Sequence, residues 1–143
     1  MQAIIGWMVL FLGGFLYVAQ VISSINFSLA QRLGIQEKPE ETDSILQRSE
    51  RYTAYWDLIA VGWLPLAGLL MIIDHEWWPV FLLMGGGIYL DASGREAVKN
   101  MSLRHEGVRL GTEKQQRGFF ATYIVMFVIA LVSIAYAISE LLI

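Results

Sequence analysis

The sequence predicts an all-α integral membrane protein with four transmembrane helices in an up-down bundle. Hydrophobic residues make up 56% of the 143 residues and charged residues only 16%, whereas soluble domains average about 45–50% and 25%. Long apolar stretches alternate with polar segments along the chain. All ten Lys and Arg residues lie in two of those polar segments, which is typical of a membrane protein oriented by its basic loops.

The four helices are expected over about residues 4–30, 55–73, 77–97 and 119–141. The first apolar stretch has no charged residue before Arg32. A helix of its length would span roughly 39 Å, more than the roughly 30 Å hydrocarbon core of a bilayer. We therefore expect this helix to tilt or to protrude from the membrane.

The second helix is expected to extend beyond its membrane-spanning part. With Asp43 as its N-cap, it could begin near Ser44 and continue without a break into the span. Pro65 lies within the span. Because proline has no N–H, the carbonyl of Val61 loses its helical hydrogen bond, so a kink is expected there.

The third and fourth helices are separated by a long polar segment. A short outer turn, 74–76, is expected to join the second and third helices in a tight hairpin, followed by Trp77 and Trp78 at the interface. After the third helix we expect an amphipathic cytoplasmic extension that is broken near Gly107 or Gly111.

The basic residues also predict the orientation. The loops of about 31–52 and 98–117 contain nine of the ten Lys and Arg residues, and Arg95 lies just before the second loop, so both loops are expected to be cytoplasmic. The N-terminus, the 74–76 turn and the C-terminus are then non-cytoplasmic. The sequence thus predicts a single multi-pass domain, 1–143, in the inner (plasma) membrane.

Charged and polar residues within the spans are the candidates for a functional site, because ionised groups are costly in hydrocarbon. Asp91 is about 21 Å along the third helix from Trp77, and Asp57 is about 25 Å from Asp74. Both acids are therefore expected at a similar depth, towards the cytoplasmic side. The candidate polar intramembrane site comprises Asp57, Asp91, Arg95, Gln20, Ser24 and Tyr123.

Two interpretations of this polar layer remain open. It could line a small cavity, open to the cytoplasm, that holds a cation, a proton or a polar solute. Alternatively, Asp91 and Arg95 pair with each other across one helical turn, and the layer joins helices structurally. A second set of residues is expected to pack helices closely, within or between protomers: Gly13, Gly14, Gly85, Gly86 and Gly87.

The sequence offers little chemistry beyond this layer. It has no cysteine, which excludes disulfides and thiolate ligands, and its two histidines, His75 and His105, are expected on opposite sides of the membrane. No catalytic residue, metal site or cofactor is predicted, and the acidic run 37–43 is expected to be a solvated loop.

The function expected from the sequence is that of a helical scaffold or accessory subunit. One alternative is an oligomeric transporter or channel for a cation or small polar solute that uses the intramembrane aspartates. The other is a membrane enzyme with a lipophilic substrate. The expected partners are the lipid bilayer and either a second copy of the chain or another membrane protein; no nucleic-acid partner is predicted.

Overall fold

The computed structural model describes residues 2–142, which form an all-helical fold. Helix accounts for 81% of these described residues, and there are no strands among them. The all-α class predicted from the sequence is therefore confirmed. The helices are α1 (Gln2–Ile25), α2 (Phe27–Arg32), α3 (Ser44–Ala60), α4 (Trp63–Ile72), α5 (Trp78–His105) and α6 (Glu113–Leu141).

Three helical stretches are long and apolar enough to cross a membrane. They are α1, the combined stretch of α3 and α4, and α6, and they support the prediction of a membrane protein. Helix α5 is not among them, because its glycines and charged residues lower its mean hydropathy. The fourth spanning helix therefore stays a prediction.

The first predicted helix, 4–30, is interrupted. Asn26 has a non-helical backbone, with φ −140° and ψ 83°, and its side-chain oxygen accepts a hydrogen bond from the N–H of Leu29 at 3.0 Å. An asparagine side chain can bond a nearby backbone N–H in this way, in place of a helical backbone hydrogen bond. The chain therefore ends α1 at Ile25 and begins α2 at Phe27.

The helix that leads into the second predicted span, 55–73, begins at Ser44 as expected, but it is broken in the middle and does not continue unbroken into the span. Asp43 is the N-cap of α3, but its carboxylate accepts a hydrogen bond from the N–H of Arg109 at 3.0 Å and makes no capping bond. Val61 and Gly62 form a turn between α3 and α4. This is where Pro65 removes a helical hydrogen bond.

The remaining two helices are longer than the predicted 77–97 and 119–141. Helix α5 continues to His105 and ends before Gly107, whose φ of +76° is left-handed. Helix α6 begins at Glu113 because Thr112 and Gln115 form a capping box, in which each side chain bonds the other's backbone N–H. Much of the expected 98–117 loop is therefore helical.

Helices α4 and α5 lie at the centre, with α1 packed on α4 and α6 packed on α5. Two central crossings are made at glycines. A Cβ atom on Gly85 would lie 2.8 Å from the Leu64 backbone, and one on Gly86 would lie 3.2 Å from the Ala130 carbonyl. Small residues of this kind let membrane helices approach closely.

The other predicted packing glycines divide between two environments. Gly13 on α1 meets Pro65, at 3.0 Å from the position of a Cβ atom. Gly14 and Gly87 have no neighbour within 4 Å of that position. Three of the five glycines thus pack against helices of the same protomer, and two face open space.

The two basic segments of the chain contact each other at one end of the molecule. Thr42 and Leu110 form an antiparallel β-bridge, and the N–H of Gly111 donates to the carbonyl of Glu41 at 3.1 Å. We call residues 34–43 and 106–112, which these contacts join, the polar cap.

At the opposite end of the molecule, the Gln2 side chain at the start of α1 donates a hydrogen bond to the Asp74 carboxylate at 3.0 Å.

Candidate functional site

The structure places the six residues of the predicted polar layer in different surroundings. On α1, Ser24 is buried and donates its hydroxyl hydrogen to the carbonyl of Val21 at 2.9 Å. Gln20 is half-buried. Tyr123 on α6 accepts a hydrogen bond from Asn100 at 2.8 Å. The three charged residues, Asp57, Asp91 and Arg95, are grouped elsewhere.

These three charged residues line a groove on the side of the molecule. The groove lies between the α3–α4 stretch and α5 and has a volume of about 440 Å³. Its walls include exposed apolar side chains, with Trp56 64% and Ile59 65% exposed, so it opens sideways. Its lining residues include Trp56, Asp57, Trp63, Gly87, Asp91 and Arg95.

The charges within this lateral groove are only partly paired. Arg95 Nε donates to Asp91 Oδ2 at 3.2 Å, the pairing that their spacing predicts. Asp57 is half-buried, and no hydrogen bond or ion pair is made by its carboxylate within residues 2–142. The groove therefore contains one paired carboxylate and one carboxylate without a partner inside the described chain.

A second group of charged residues was not predicted. Lys99 Nζ lies 2.6 Å from Glu50 Oε1 and 2.5 Å from Glu96 Oε2. The three side chains are only 27%, 16% and 18% exposed. We call Lys99, Glu50 and Glu96 the Lys99 cluster; it joins α3 to α5, and the neighbouring Asn100–Tyr123 bond joins α5 to α6.

The Lys99 cluster is close to a buried residue of the polar cap. Glu37, expected in a solvated loop, is only 9% exposed. Its carbonyl accepts a hydrogen bond from Gln31 at 2.9 Å. Its side chain lies against Gly111, where an added Cβ atom would be 3.1 Å from Glu37 Cγ. The sequence prediction was wrong here because the first basic segment folds against the second and covers Glu37.

Burial raises the pKa of Glu37 to about 7; its own backbone hydrogen bond opposes the rise, and the negative charge of Glu50 adds to it. The folded protein therefore binds this proton more tightly than the unfolded chain, whose carboxyl titrates near 4.5. The stability contribution is present below the unfolded pKa and is lost as pH rises through the folded pKa.

We expect the thermal midpoint in detergent to fall between pH 5 and pH 8, and to fall less in Glu37→Gln. The Glu37 contribution is at most about 3 kcal/mol over this range. Glu40→Gln, an exposed change in the same segment, is the control and should keep the wild-type pH dependence. An equal fall in wild type and Glu37→Gln would contradict the assignment.

Among residues 2–142, no group of three or more His, Cys, Asp or Glu side chains is placed to hold a metal ion. The site geometry that remains is the lateral groove and the Lys99 cluster, which are linked because Arg95 Nη1 lies 3.5 Å from Glu96 Oε1. Comparisons with known proteins add no assignment: no family model, no curated protein and no solved structure matches this chain.

Proposed function

We propose that the protein is a helical scaffold or accessory subunit of a membrane assembly. The observation that carries this proposal is the placement of the polar residues. Polar residues between the helices are joined by ion pairs and hydrogen bonds, as in the Lys99 cluster and the Asn100–Tyr123 bond, whereas Asp57, Asp91 and Arg95 line the lateral groove.

The contacts between the helices support a packed interior. Tyr89 on α5 is fully buried, and its hydroxyl donates to the carbonyl of Gly13 on α1 at 3.4 Å. Trp78 stacks on Tyr136 with ring centroids 5.4 Å apart. With the glycine crossings at Gly85 and Gly86, these contacts hold the helices close together, which favours a packed bundle over a solute pathway between the helices.

The lateral groove supports a docking role. Ionised side chains that face lipid are costly, and intramembrane charges usually face other protein or water. Asp91 has a side chain that is 70% exposed, and Arg95 one that is 47% exposed. A second protein that covers the groove would remove these groups from contact with lipid, which favours an assembly over an isolated subunit.

The association itself is the test of this proposal. We expect the 16.2 kDa chain, isolated in lipid nanodiscs directly from the membranes of its own cells, to be found in particles that contain a second polypeptide. The measurement is the mass of the particles and their protein content. A lone protomer whose cation flux in proteoliposomes is abolished by Asp57→Asn, with its fold retained, would instead favour the transporter.

We also propose that α5 is the fourth spanning helix, that the membrane is the inner membrane, and that the polar cap is cytoplasmic. The contact between the two basic segments supports this, because it requires both to be on the same side. The packing of α5 on both α4 and α6 supports its insertion.

Single cysteines test this orientation, since the chain has none. Lys38 and His75 are both exposed and belong to the two opposite ends. In intact cells, an impermeant maleimide should label His75→Cys and should label Lys38→Cys only after the membrane is permeabilised. Labelling of Lys38→Cys alone would reverse the orientation, and equal labelling of both in intact cells would contradict the span count.

A further inference from the structure

We infer that the lateral groove binds a membrane-spanning helix of a different protein, and that this helix carries one Lys or Arg at the depth of Asp57. The inference rests on the proposed function and goes further, because it names the chemistry of the partner.

The net charge of the groove calls for one basic residue on the partner helix. The groove contains two carboxylates and one guanidinium. Arg95 is already held by Asp91 at 3.2 Å and also lies 3.5 Å from Glu96, so the uncompensated group is Asp57. One ammonium or guanidinium group placed opposite Asp57 would neutralise the groove, whereas an acidic residue would add to its negative charge and a purely apolar helix would leave it unpaired.

The shape of the groove suits a helix. Gly87 has no atom within 4 Å of the position of its Cβ, so a helical backbone can approach α5 there. Trp56 and Trp63 also line the groove, and the face of an indole ring attracts a cation. The exposed side chains of Ile59 and Met84 supply apolar contact along the same surface.

The depth of the acids favours a helix over a lipid headgroup. With α5 spanning the membrane, Asp91 lies about 21 Å from Trp77, and the hydrocarbon core is about 30 Å thick. The amine of a phospholipid lies outside this core, while a basic side chain on a helix can be placed at any depth.

The composition of this chain favours a different protein over a second copy. Among the described residues that line the groove, Arg95 is the only basic one, and a second copy would have to separate its own Arg95–Asp91 pair to offer that guanidinium. Lys99, the next basic residue along α5, is held by Glu50 and Glu96.

A designed peptide tests the inference without knowledge of the natural partner. The probe is a Leu/Ala host helix of spanning length that carries one Lys, one to two turns from the end that faces the polar cap; its match carries Gln at that position. Energy transfer between the labelled peptide and the labelled full chain is measured in vesicles of neutral phosphatidylcholine. We expect the Lys peptide to bind wild type and to bind Asp57→Asn about fivefold to thirtyfold more weakly.

Two controls make the result specific. Asp74→Asn changes an exposed acid of the outer turn and should leave binding of the Lys peptide unchanged. The Gln peptide should bind wild type as weakly as the Lys peptide binds Asp57→Asn, which keeps the test valid if Asp57→Asn is misfolded.

Three outcomes would overturn the inference. The first is that the Lys and Gln peptides bind wild type equally. The second is that the Lys peptide binds wild type and Asp57→Asn equally. The third is that the chain associates with itself and that Asp57→Asn abolishes this self-association. If any of these outcomes were found and the nanodisc particles still contained a second polypeptide, the basic helix would be refuted as the occupant of the groove. The proposed accessory role would then still stand.

Discussion

Lys99→Met should lower the free energy of unfolding by about 3 kcal/mol, since removing one partner of a buried ion pair leaves uncompensated charge. Here two carboxylates, those of Glu50 and Glu96, depend on the same ammonium group at 2.6 and 2.5 Å. Both side chains are less than one fifth exposed, so water screens their repulsion poorly. The measurement is denaturant or thermal unfolding of the purified protein in detergent.

Two further variants separate the loss of charge from the loss of a long side chain. Arg117→Met removes a cation whose pair with Glu113 is 84% and 85% exposed, and should change stability by less than about 0.5 kcal/mol. The triple change Lys99→Met, Glu50→Gln and Glu96→Gln removes all three charges and should regain much of the lost stability. If the triple variant is no more stable than Lys99→Met, lost packing and not charge explains the effect.

Gly85→Ala should be the most damaging single-methyl change at a glycine of α5, with a loss of about 2 kcal/mol. The new Cβ would lie 2.8 Å from both the N and the Cα of Leu64. Backbone atoms cannot rotate away as the end of a side chain can, so α4 and α5 must separate at this crossing. The thermal midpoint in detergent reports the loss.

Gly87→Ala is the matched control for this change. It adds the same methyl group to the same helix two residues later, where no atom lies within 4 Å. It should leave the midpoint unchanged or raise it slightly, because alanine favours a helix over glycine by up to about 1 kcal/mol. Equal losses in the two variants would contradict this assignment, because they would show that the contact with the Leu64 backbone is not what makes Gly85 sensitive to an added methyl group.

Much of the helical framework could be read from the sequence because it depends on local rules. Apolar stretches, Pro65 and the glycines near residue 107 indicate where helices run and break. Two boundaries that differ from the predicted ones also have local signals in the sequence: Thr112 and Gln115 have capping-box spacing, and Asn26 is a residue type that favours helix starts.

The candidate site was harder to predict because it depends on contacts between distant segments. The pair of Asp91 and Arg95 followed from their spacing of four residues. By contrast, Glu50 and Lys99 are 49 residues apart, and nothing in either segment alone shows that they meet. Hydropathy separates polar residues from apolar ones, but it does not distinguish a polar residue in water from one buried beside another polar residue, and Glu37 is the example.

The contact between Asp43 and Arg109 spans 66 residues, which has a consequence for the order in which the protein assembles. The chain is synthesised from its N-terminus, so the first basic segment has no partner until residue 109 has been made. Until then Glu37 has no Gly111 to cover it and stays hydrated and ionised. The polar cap therefore cannot close before synthesis has reached the start of α6, and its closure places Glu37 in an environment that favours the protonated form.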